Sequence, residues 1–186
     1  MKKLLSFATL FTSLVLSVSC VTTKSPTVMR YTLTPFAAES TSDAPAIPFA
    51  RIAVPAYIDT PQIVTRESEN TILLNETRIW AEPLARSIQR RIPIQVSQKL
   101  QGKKLKNFEK VSVFIDRLDG SPEKGVSVSA QIVVSRLTET EVQSESFLFA
   151  ETIPVSQEAD AYVAYVQAIS AAVGKISDAV AENLSE

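Results

Sequence analysis

The chain has 186 residues, 45% of them apolar, with a formal net charge of −1, no histidine, one cysteine and four glycines. Without histidine there is no Ser-His-Asp triad, no imidazole acid–base chemistry and no His-ligated metal. A single cysteine excludes an internal disulfide and any Cys-rich zinc or iron–sulfur site, and the scattered glycines supply no phosphate-cradling loop.

The sequence opens on a positive Met1-Lys2-Lys3, followed by an uncharged apolar run from Leu4 to Val18. That run is shorter than the roughly 20 residues a spanning helix needs, and it fits the apolar region of an export signal. Small residues Ser17 and Ser19 stand just before the only cysteine, Cys20. This arrangement resembles a bacterial lipoprotein signal, in which cleavage before the cysteine makes it the first mature residue and its sulfur takes a diacylglyceryl group. Ser17 stands where such signals usually carry leucine, with Leu16 one step further back. The other reading is an ordinary export signal with an incidental cysteine. Residue Val21, where an aspartate would mark retention, points by the same resemblance to the outer membrane. Losing residues 1–19 removes Lys2 and Lys3 and takes the formal charge to −3. That argues against nucleic acid, which calls for a basic stripe.

Residues 20–29 read as a polar tether of at most ~35 Å, and residues 30–186 as one domain. "RYTLTP" (Arg30 to Pro35) predicts a first strand, and residues 37–48 a Ser/Pro/Ala-rich loop. In "RIAVPAYI" Ile52 and Val54 share a face, and Pro55 confines the strand to an edge or an end. "QIVTRESENTILLNET" predicts two strands around a polar turn near Ser68 to Asn70. Leu84, Ile88, Ile92, Val96 and Leu100 then mark a helix that starts near Pro83 and continues, kinked, past Pro93. Lys99, Lys103, Lys104, Lys106 and Lys110 form a basic run, either a solvated loop or a contact for anionic headgroups.

Three segments alternate with period two. Val111, Val113 and Ile115 share one face; Val126, Val128, Ala130, Ile132 and Val134 share another. Phe147, Phe149 and Ile153 form the third set, and serines crowd the opposite faces. The pattern predicts antiparallel strands buried on one side, with a turn at Asp119 to Gly125. Ala159, Val163, Val166, Ile169, Val173, Ile176, Val180 and Leu184 predict a long amphipathic helix with Ser156 as its N-cap. The fold class is therefore α+β, a two-layer arrangement of a mostly antiparallel sheet with two main helices packed on one face.

Tyr31, Leu33 and Pro35, then Val54, Pro55, Tyr57, Ile58, Asp59, Gln62, Ile63, Val64 and Arg66, then "WAEPL" (Trp80 to Leu84), together resemble the ABC-type transport auxiliary lipoproteins of the PqiC (paraquat-inducible protein C) group. The resemblance implies an outer-membrane lipoprotein facing the periplasm that works with an MCE-domain protein in lipid transport between membranes. It also implies a ring-like homo-oligomer. A stand-alone periplasmic lipid-binding module is the alternative function. The candidate sites are Cys20 for acylation and Tyr57, Asp59, Arg66 and Trp80 for structure or partner contact, with Asp59 and Arg66 able to pair. Glu82 is expected to favour the helix N-terminus through its dipole. No catalytic residue, metal or cofactor is expected.

Overall fold

Alternation builds strands, and here it also decides which face each one buries. A computed structural model describes residues 25–35, 44–138, 141–158 and 160–186. Its elements are β1 (Met29–Tyr31), β2 (Phe49–Ala53), a 3-10 turn (Ala56–Ile58), β3 (Gln62–Ser68), β4 (Thr71–Trp80) and α1 (Leu84–Lys99). After these come β5 (Lys110–Ser121), β6 (Gly125–Leu137), β7 (Val142–Ile153) and α2 (Ala161–Leu184).

The fold is α+β, but its strands divide between two sheets where the sequence predicts one. One sheet has the order β1-β4-β3 and the other β2-β5-β6-β7. The β5–β6–β7 meander and the β3–β4 hairpin are antiparallel, whereas β1 joins β4 and β2 joins β5 in parallel. The first strand is short and begins at Met29, the last residue of the predicted tether.

The apolar faces of β5, β6 and β7 meet the helices. Val111, Val113, Val126 and Ile132 are fully buried, as are Ile88, Ile92 and Val96 of α1 and Val173, Ile176 and Val180 of α2. Each such side chain contributes roughly 1.5–3 kcal/mol before entropy is counted. α2 lies across β5, β6 and β7, and α1 packs beside it against β2. The helix α1 runs on through Pro93, because buried Ile92 and Val96 hold it on both sides of the missing hydrogen bond. That proline leaves the Gln89 carbonyl without its intrahelical donor.

Two helix ends differ from expectation. α1 begins at Leu84, so Pro83 stands at the N-cap and not inside the first turn. α2 begins five residues after the predicted cap. Asp160, and not Ser156, caps it, its carboxylate accepting the N–H groups of Tyr162 and Val163 at 2.8 and 3.2 Å. Val163 stays 36% exposed, and the buried stripe includes Tyr165 in its place. Ala159 lies outside the described residues. Asp160→Ala removes the side-chain acceptor of the Tyr162 and Val163 N–H groups and is expected to cost about 1 kcal/mol, read as a lower urea midpoint at unchanged slope.

Of the lysine run, three residues are tied to the end of α2. Lys99 pairs with Asp178 at 2.5 Å, Lys104 pairs with Glu186, and Lys106 Nζ donates to the Asn183 carbonyl at 3.2 Å.

Candidate functional site

Among the described residues Asp119 is a charged group whose side chain is wholly covered. β3 lies against β5, so β5 is buried on both faces from Leu118 to Ser121. A carboxylate can stay ionised in such a place only when hydrogen bonds replace its lost water. Here four donors surround it. Arg66 gives Nε to Oδ1 at 2.6 Å and Nη2 to Oδ2 at 2.7 Å, a two-pronged clamp. Tyr57 donates its hydroxyl to Oδ2 at 2.5 Å, and Arg117 donates Nε to Oδ1 at 3.1 Å.

The electrostatics follow the geometry. Burial pushes the Asp119 carboxyl up, and the hydrogen bonds from Arg66 and Tyr57 outweigh it, leaving the group below the usual carboxylate range. The hydrogen bond to Asp119 raises Arg66 in turn. Tyr57 is pushed up to about 12, first by burial and then by its bond to Asp119. Its ring also sits beneath the Arg66 guanidinium, 6.0 Å from centroid to Cζ.

A second buried hydroxyl extends the knot. Tyr165 of α2 donates to the Val64 carbonyl at 2.9 Å and accepts the Gly120 N–H at 3.1 Å. Burial raises its pKa. The 3-10 turn, β3, β5 and α2 therefore converge on Asp119 and Gly120.

The structure redistributes the residues singled out from sequence. Arg66 pairs with Asp119 and not with Asp59. Asp59 is exposed, on the wall of an open groove of about 650 Å³ between β2 and α1, with Ile52, Gln89 and Pro93. In that groove Gln89 Nε2 donates to the Ile52 carbonyl at 3.1 Å, closing part of the β2 edge. Trp80 is 5% exposed and ends β4, beside Tyr31 in the register. It is an anchor of the core and not an exposed contact. Glu82 lies beside the α1 N-terminus, where it is held by Arg90 through two bonds of 2.6 and 3.1 Å. That bond, first among its causes, lowers the Glu82 pKa. Cys20 lies outside the described residues.

Sequence reasoning missed Asp119, Arg117 and Tyr165. Asp119 reads as the start of a turn in "DGSPEKG", whereas the strand continues to Ser121 and the turn is Pro122 to Lys124. The one available signal was an acid followed by glycine at the end of a strictly alternating strand.

Chemically this knot is closed. Two carboxylate oxygens offer about four acceptor positions, and four donors fill them. The described residues contain no group of three or more metal-ligating side chains. A second groove of about 430 Å³ beside Arg66 and Arg117 is likewise open. Among the described residues no helix is long and apolar enough to cross a membrane.

Two solved structures share the fold. One is described only as an uncharacterized protein; it has a TM-score of 0.61 and 17% identity, over 84% of this chain and 98% of that one. The other is protein XCC0632 from Xanthomonas campestris, of the family model DUF330, with a TM-score of 0.51 and 14% identity over 86% and 92% of the two chains. Among curated proteins, none matches the chain in sequence. Residues 31–181 match the family model described as the ABC-type transport auxiliary lipoprotein component, and the chain belongs to that family.

Proposed function

We propose that this chain is a lipid-anchored accessory subunit of an ABC-type system moving phospholipid between two membranes, and that it acts by docking and tethering, not by catalysis. In this reading residues 1–19 are the removed signal, 20–29 the tether and 30–186 the working domain. Cys20 carries the acyl groups, the body faces the periplasm from the outer membrane, and an MCE-domain protein is the partner. A ring of identical copies is part of the same proposal.

The observation that carries it is the family match over 31–181 together with the position of Cys20, directly after an export-type apolar run. The saturated Asp119 agrees with it, since this buried carboxylate serves to join elements. Tyr57, Arg66 and Trp80 thus take structural roles, and exposed Asp59 is the remaining candidate for partner contact. One acyl chain binds a bilayer only marginally, at K on the order of 10⁴ M⁻¹, so stable anchoring needs the several chains that a processed cysteine receives.

Cys20→Ala is expected to move the protein from the membrane to the soluble fraction on cell fractionation, and to fail to complement a deletion strain. Full complementation by the released form would overturn the tethering role. Crosslinking in intact membranes, followed by purification, is expected to bring down an MCE-domain protein.

A further inference from the structure

The four-stranded sheet has two edges to which no further strand is added among the described residues, β2 and β7. β7 runs twelve residues, from Val142 to Ile153, and pairs with β6 along its whole length without a bulge. Edge strands commonly carry a bulge, a proline, a lysine or an early stop against further pairing. β7 has none of these. Its two charges, Glu145 and Glu151, are held by Arg136 and Lys175 at 2.9 and 3.4 Å. Its Leu148 is 85% exposed, more than any other large apolar side chain among the described residues.

The opposite edge is shaped to receive a strand. β2 borders the open groove of about 650 Å³ whose other wall is Ala85, Gln89 and Pro93 of α1. There Gln89 Nε2 donates to the Ile52 carbonyl at 3.1 Å, in the place that the N–H of an added strand would take. Direction and register fit as well. β2 is parallel to β5, and two antiparallel steps lead on to β7, so β7 and β2 point the same way. Ala53, Phe114, Gln131 and Leu148 form one row across the four strands. The neighbouring row of Ile52, Val113 and Ile132 is buried under the helices, so this row lies on the other face. Setting β7 of one copy against β2 of the next along the row brings Leu148 beside Ala53, whose small side chain leaves the Phe114 ring within reach. Phe147 and Phe149 then face the groove. Both layers can continue, since four strands span ~19 Å and two packed helices ~20 Å. The symmetric alternative, β7 against β7 about Leu148, sets Glu145 opposite Glu151 twice and leaves both grooves empty. Like charges directly opposite are destabilising.

We propose that the β7 edge of each copy adds in parallel to the β2 edge of the next, so that identical chains join head to tail through one continuous sheet. Such a contact is heterologous, and when repeated it closes a ring or runs on as a filament. The proposal rests on the reading of this chain as a ring of identical copies, and it names the two surfaces that build the ring.

The test is disulfide trapping of the full chain in freshly opened cells, with Ala53→Cys and Leu148→Cys made singly and together. Within one copy the two positions are three strand spacings apart, ~14 Å, beyond the Cα separation of ~4.4–6.8 Å that a disulfide bridges. A 53–148 bond therefore forms only between copies. Mild oxidation of the double variant is expected to give a ladder of covalent multimers, about tenfold more abundant than with either single variant. The wild-type chain, with Cys20 as its one cysteine, sets the background. A Leu148→Cys variant that crosslinks alone as well as the double variant does overturns the proposal in favour of β7 against β7. Absence of the 53–148 bond, in a chain that an amine crosslinker still joins into multimers, overturns it too and leaves the ring standing on another surface. Monomers under both reagents overturn the ring itself, and this contact with it.

Discussion

Asp119→Ala is expected to remove about 4 kcal/mol of unfolding free energy, because it strands the Arg66 charge against a buried site. The Arg66 side chain is 19% exposed and that of Asp119 wholly covered, so water replaces little of the lost clamp. Tyr57 and Arg117 lose the same acceptor. Urea titration reads the effect as a lower midpoint. Replacing both partners, Asp119→Leu with Arg66→Met, is expected to recover most of the loss, since burying a matched apolar pair avoids the desolvation cost. A single-mutant loss below about 1 kcal/mol would mean that the pair behaves as a screened surface bridge.

The same pair sets a pH dependence. The folded-state pKa of Asp119 is depressed. Its contribution is therefore complete above the unfolded carboxyl value of about 3.9 and drains away as the pH falls through the lower folded value. Wild type is expected to lose stability faster on acidification than the double variant does, and parallel acid curves would exclude the linkage.

Gly120→Ala is the second large effect. A Cβ built on Gly120 would stand 1.8 Å from the Gly125 carbonyl oxygen and 2.9 Å from the Val126 Cα. Both are backbone atoms of the facing strand in the β5–β6 hairpin, where Gly120 pairs with Val126. No side-chain rotation relieves such a clash, so the ladder must open. The Gly120 N–H would also leave the Tyr165 hydroxyl. The expected cost is about 3 kcal/mol or more. At ~2–4 °C per kcal/mol for a chain of this size, melting should fall by roughly 6–12 °C. A wild-type melting curve would mean that the hairpin turn is placed differently.

The parts legible from sequence are those governed by neighbours along the chain. Period-two alternation marked β5, β6 and β7, and the i, i+4 series from Leu84 to Leu100 marked α1; all five of those residues are buried. The polar turn of the β3–β4 hairpin was legible for the same reason. The division into two sheets was not, because β1 and β2 pair in parallel with strands some fifty or sixty positions away, and parallel pairing leaves no turn signal. The start of α2 moved because both Ser156 and Asp160 can cap a helix, and the apolar spacing does not choose between them. Arg66 was matched to Asp59, the nearer acid in sequence, although its partner arrives on β5. A buried ion pair obeys tertiary placement, and nothing in local spacing encodes it.

The meander of β5, β6 and β7 has a kinetic consequence. Its strands are sequence neighbours, so they can zip together early. The valine face they create is covered mainly by α2, the last element of the fold. Until that helix docks, the nascent body carries a bare sticky surface of the kind that aggregates. On the export route proposed above, the unfolded chain would pass through this state on arrival, and its yield should then depend on a chaperone that shields it there.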